Sequence, residues 1–172
     1  MQKRRQGARL PIALGAAAFL TLMGSAAVAR ENGELSRGQT VYIPVYSHIW
    51  YGDADSRGPS RLLLSSMLSI RNIDPGHSIT LKAVRYYDSD GKLLREENTA
   101  LRNLGPLASS DVFVEWKDAS GGTGANFIVV WEADAPVNPP LMESVNAYYR
   151  GTQMTTFSSR GIPIRTGEGQ LK

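Results

Sequence analysis

The chain has 172 residues, with 19 Lys and Arg against 16 Asp and Glu, two histidines and no cysteine. The lack of cysteine excludes disulfides, thiolate metal sites, cysteine nucleophiles and a lipid-bearing cysteine. Lys3, Arg4, Arg5 and Arg9 lie in the first 29 residues and no acid does, so the rest carries 15 basic and 16 acidic groups and lacks the basic footprint that nucleic-acid binding requires.

Those first residues form the first predicted element. The basic head is followed by an apolar run from Leu10 to Met23 and by Ala27-Val28-Ala29, a small-x-small site before Arg30. This is the pattern of an export signal removed on maturation, residues 1–29. The run is shorter than the roughly 20 apolar residues of a comfortable membrane span, so a membrane role is expected only through an uncleaved signal. An exported domain without disulfides points to a bacterial periplasm or to secretion. The remaining residues suffice for one domain with its own core.

Residues 30–38 are polar and glycine-containing, a flexible lead-in, and the domain is expected over 39–164. In Val41-Tyr42-Ile43-Pro44-Val45-Tyr46 the aliphatic residues alternate, the strand period. Pro44 cannot donate to a ladder, which predicts an edge or a bulge. His48 to Tyr51 follows, then a polar loop over 52–60. Arg61 to Asn72 reads as one strand with Leu62, Leu64, Leu68 and Ile70 on a single face, and Ser66 as a gap in that row.

Ile79 to Ala83 alternates and continues to Tyr87, and Asp90-Gly91 is a strong hairpin signal. Val112 to Trp116 and Phe127 to Trp131 are further strands, joined by a glycine-rich loop at Gly121–Gly124 that reads as mobile. Ala135 to Pro140 holds three prolines and closes the second of them. Leu141 to Arg150 and Met154 to Ser158 complete the set, and residues 165–172 read as a disordered tail. No helix-length stretch carries a 3.6-residue apolar period. The fold expected is all-β, an antiparallel immunoglobulin-like sandwich of about seven to nine strands.

Chemistry has few carriers in this chain. A general base or transition-metal site must use His48 or His77, and His77 falls on a turn. Asp53 and Asp55, with Gly58, imitate the opening of a calcium loop, but Arg57 and Leu64 stand where further ligands belong. Glu143 sits in apolar register with Leu141, Val145 and Ala147, and Arg85 shares a register with Ile79, Leu81 and Ala83. A buried carboxylate needs a partner, so a structural Glu143–Arg85 ion pair is expected. No nucleophile elbow is present, and no metal or other cofactor is expected.

Aromatic residues are the remaining signal: Tyr42, Tyr46, Trp50, Tyr51, Tyr86, Tyr87, Tyr148 and Tyr149. Exposed aromatic rows bind glycans, peptides or proteins, although tyrosine is also simply a good strand residue.

The stretches Val41–Gly52, Gly124–Trp131, Glu143–Ala147 and Thr156–Gly161 together resemble a family of small exported bacterial proteins classed only as a domain of unknown function. The resemblance runs from Val41 to about Pro163. It implies a single exported domain and brings no activity with it. The expectation is therefore an envelope binding or protein-interaction module without catalysis, with an envelope protein or a glycan as partner. Its surface would comprise Tyr46, His48, Trp50, Tyr51, Asp53 and Asp55 with the loops at 121–124 and 136–140. The alternatives are a periplasmic hydrolase or metal-binding protein centred on His48, Asp53 and Glu143, and a glycan-binding domain using Trp50 and Tyr51.

Overall fold

The computed structural model describes residues 34–56, 58–97 and 102–164, apart from the Asp55 side chain, all within one unit of residues 31–172. The expected signal (1–29) and tail (165–172) lie outside the described residues. Among the described residues there are twelve strands and no helix.

The larger sheet contains β1 (Ser36–Pro44), β5 (Ile79–Tyr87), β6 (Leu93–Glu96), β7 (Arg102–Leu104), β9 (Asn126–Val137) and β12 (Ile162–Ile164). Its order is β12-β1-β9-β5-β6, with β7 also pairing β5. The second sheet contains β4 (Ser65–Arg71), β8 (Ser109–Val114), β10 (Leu141–Arg150) and β11 (Gln153–Arg160), in the order β11-β10-β4-β8. The hairpin of β2 (His48–Asp55) and β3 (Gly58–Leu63) is a two-stranded sheet of its own. Every pairing is antiparallel.

The core lies between the two larger sheets, which makes the fold sandwich-like. Val41, Ile43 and Val45 face it from one side together with Phe127, Val129 and Trp131, and Leu68, Ile70, Val112 and Val114 face it from the other. The alternation read from these segments is therefore the inward face of each strand. The count of twelve exceeds the expected seven to nine because short pairing segments, β3, β6, β7 and β12, carry little apolar pattern. Nothing in the strand order marks the sandwich as immunoglobulin-like.

Regular structure begins at Ser36 rather than Val41, since β1 pairs with β9 from Ser36↔Val137 onward. Pro44 is not on an edge strand. It is the last residue of β1, opposite Asn126 and beyond the reach of β12, whose pairing stops at Tyr42↔Ile162. The expected polar loop over 52–60 is instead the hairpin tip, with Asp55 opposite Gly58. The single strand expected over 61–72 is divided at Leu64.

Two registers differ from expectation, each for a local reason. In β5 a bulge between Leu81 and Ala83 places both Ala83 and Val84 inside. Beyond it Val84 and Tyr86 face the core and Arg85 faces outward. In β10 the inward face is Met142, Ser144 and Asn146, so Glu143, Val145 and Ala147 lie on the outer face. The apolar row there is not the core row, because two of the core-facing positions are polar and hydrogen-bonded.

Candidate functional site

The sandwich has two ends of different construction. At one end Asp74 is buried and gathers its neighbours. Its Oδ1 accepts from the backbone N–H groups of Gly76 (3.0 Å) and His77 (2.9 Å) and lies 3.0 Å from His77 Nδ1. Its Oδ2 accepts from the backbone and side-chain nitrogens of Asn138 at 3.0 and 3.1 Å. These donors stabilise the carboxylate and hold its pKa far below the ordinary range, the Asn138 backbone N–H contributing most. His77 is thus tied to Asp74 as a loop clamp, and the 136–140 loop belongs to this end.

At the other end the strands part. β4 and β10 pair as far as Ser65↔Ala147. Beyond that point β10 stays with β11 to Arg150↔Gln153, while the chain of β4 bends at Leu64 into β3 and pairs with β2. Leu64 is fully buried and its N–H donates to the Ser47 carbonyl at 2.9 Å, which anchors the bend.

The parting leaves a groove of about 550 Å³ between the hairpin and the second sheet, walled by Tyr51, Leu62, Leu63, Trp116, Tyr148 and Tyr149. Arg61 and Arg150 also border it. A second recess of about 550 Å³ continues from it past Thr152 to Thr155. Tyr51, Leu62 and Tyr148 border both recesses, so the two adjoin. Each lies within the usual size range of small-ligand sites. Tyr51, Trp116 and Tyr149 are 54%, 54% and 76% exposed, and Met154 is 69% exposed. This gathering of large exposed apolar side chains makes the groove the candidate site.

The residues singled out in the sequence divide between support and surface. Tyr46 is half-buried and packs edge-on against Phe157, with centroids 5.4 Å apart, so its role is structural. His48 is buried at the hairpin base, edge-to-face with Trp50 at 5.0 Å. Its Nδ1 is buried and has no hydrogen-bond partner among the described residues. Burial first, and the charge of Arg61 second, lower its pKa from 6.5. Trp50 projects on the face of β2 opposite Tyr51, and only Tyr51 enters the groove. Asp53 is exposed near the hairpin tip, about 16 Å along the strand from His48 at the usual rise per residue. Asp55 is placed by its backbone alone, opposite Gly58.

The Glu143–Arg85 pair does not form. Arg85 Nε donates to Glu96 Oε1 at 3.1 Å on the larger sheet, whereas Glu143 stands on the outer face of the second sheet between Ser69 and Arg160. His48, Asp53 and Glu143 therefore do not converge. Among the described residues no group of three His, Asp or Glu side chains is placed to hold a metal ion.

The 121–124 loop is packed rather than mobile. The Gly121 carbonyl accepts from the Ser89 backbone (2.9 Å) and hydroxyl (3.0 Å), and the Gly122 carbonyl accepts from the Ser47 N–H (3.0 Å).

Sequence reasoning missed Trp116, Arg61 and Arg150 and did not assign Tyr148 and Tyr149 to the site. One signal was available. Tyr148 and Tyr149 are adjacent aromatics on one strand, so their rings point to opposite faces and only one of them can serve a core.

The family model described as a protein of unknown function, DUF3124, matches residues 38–164. The chain belongs to this family. No curated protein matches its sequence. The crystal structure of Thermotoga maritima 1070 is similar at 13% identity, covering 72% of this chain and 92% of its own, with a TM-score of 0.40. The DUF3124 match starts two residues into β1 and stops with β12, so the family span and the sandwich coincide. All the groove residues fall inside it.

Proposed function

We propose that this DUF3124 protein is an exported binding module of the cell envelope, without catalytic activity of its own, that takes its ligand in the groove between the β2–β3 hairpin and the β10–β11 strands. The observation that carries this reading is the gathering of Tyr51 from β2, Trp116 from the segment after β8, and Tyr148 and Tyr149 from the end of β10 around one open groove. Such a concentration of aromatic surface is costly to leave in water and useful for binding. No imidazole or carboxylate is among the described residues that border the groove, so the surface offers contact and orientation rather than proton transfer.

The test uses the full chain expressed with its own N-terminus in a bacterium. Mature protein beginning at Arg30 in the periplasm or medium is the expected outcome of export. Retention of that protein on washed envelope material should fall in a Tyr51→Ala, Trp116→Ala double variant that melts like wild type. Equal retention of the two proteins would dismiss the groove.

A further inference from the structure

We infer that the ligand of this groove is an acidic polysaccharide, a chain of sugar rings bearing carboxylates. The inference rests on the groove reading above and adds the chemistry of the occupant.

Charge is the first ground. The only charged residues among the described lining are Arg61 and Arg150, both bordering the first recess. Neither has an ion-pair partner among the described residues. The surrounding chain is not basic, since residues 30–172 carry one more acid than base. Two guanidinium groups, with no other charge among the described lining, each present a planar fork of donors that fits a carboxylate bidentately.

The lining chemistry is the second. Tyrosine and tryptophan offer broad apolar faces with a polar edge, and the second recess adds Thr152, Gln153 and Thr155, with Ser65 in the first. Hydroxyls and amides both donate and accept. A sugar ring has the matching pattern, an apolar C–H face and a rim of hydroxyls. Two adjoining open recesses suit a polymer that lies across both.

The experiment measures binding of the full mature chain to polygalacturonate, to the same polymer with its carboxylates methyl-esterified, and to poly-L-glutamate, all near physiological salt. Polygalacturonate should bind, and esterification should weaken binding by at least about tenfold, the equivalent of one charge-assisted contact. Arg61→Ala with Arg150→Ala should do the same, and Trp116→Ala should weaken binding to the acidic polymer with an unchanged melting temperature. All these side chains are exposed, so folding is not at stake. Equal binding of free and esterified polymer would overturn the acidic occupant and keep a neutral glycan in the groove. Poly-L-glutamate binding as tightly as polygalacturonate would overturn the sugar in favour of an acidic peptide. Failure to bind any of the three polymers, with envelope retention still lost in the Tyr51→Ala, Trp116→Ala variant, would reject the polysaccharide while sparing the groove. Binding untouched by every groove substitution would reject both.

Discussion

Asn146, on β10 of the second sheet, accepts the backbone N–H of Tyr46 through its Oδ1 at 3.1 Å, where the chain has just left β1 of the larger sheet. The Ser66 hydroxyl lies 2.8 Å from the same oxygen and 3.0 Å from the Tyr46 carbonyl oxygen. Past Pro44 the Val45 and Ser47 N–H groups still donate to the Ala125 and Gly122 carbonyls, whereas Tyr46 between them turns to the second sheet and is bonded by two buried side chains. The gap that Ser66 makes in an apolar row is a hydrogen-bonding position.

Replacing Asn146 with Leu should therefore destabilise the fold by about 1–3 kcal/mol, because the half-buried Tyr46 N–H and the buried Ser66 hydroxyl lose their shared acceptor. Urea denaturation reads the loss. Glu143→Leu, three residues away on the outer face, should stay within about 0.5 kcal/mol of wild type. Equal effects at both positions would contradict the inverted register of β10.

Gly121 tolerates no side chain. A Cβ there would meet the Tyr86 hydroxyl and would stand 2.7 Å from Ala125 Cβ and 2.8 Å from Ser47 Oγ. Tyr86 is itself fixed, buried against Phe127 at 4.9 Å with its hydroxyl 3.0 Å from Ser47 Oγ. Gly121→Ala should cost about 1–3 kcal/mol of stability from overpacking. Gly105→Ala, with no heavy atom within 4 Å of its Cβ, is the control and should be near neutral.

His48 gives the fold an acid-sensitive limb. Its folded pKa is lowered from 6.5, so the unfolded chain takes up the proton first. Stability is full above 6.5, declines as pH falls from there toward the folded value, and then levels off. A His48→Phe variant keeps an aromatic ring against Trp50 and should lose this decline. Melting temperatures at pH 8 and pH 5.5 should differ less in the variant than in wild type.

Asp74 has the same direction in a lower window. Its folded pKa is depressed, so its contribution is present above the ordinary value of 3.8 and is lost as pH falls below it. Asp74→Asn should melt earlier than wild type at pH 7 and lose less on going from pH 5 to pH 3. A parallel pair of pH profiles would show that the five hydrogen bonds do not distinguish the charged form.

Much of the sandwich was legible in the sequence because its central strands alternate cleanly. Phe127, Val129 and Trp131 face inward as their spacing requires, and so do Val112 and Val114. Arg85 and Glu143 were misplaced by two features that apolarity alone does not report. One is the extra residue of the β5 bulge, which turns every later side chain to the other face. The other is a core face built from Ser144 and Asn146, whose burial is justified chiefly by partners 80 to 100 residues away. The groove was hidden for a related reason. It exists because β3 and β10 separate beyond Ser65 and Ala147, and which strand ends become neighbours is decided by pairing across the whole chain.

The β2–β3 hairpin touches mainly itself and is fastened to the sandwich at Ser47, His48 and Leu64, yet it provides one wall of the groove. Substitutions along residues 49–62 can therefore change what is bound while leaving the core sequence untouched. On the proposed reading this segment can vary in sequence without altering the buried core of the sandwich. Transplanting residues 49–62 between two members should move ligand preference with them.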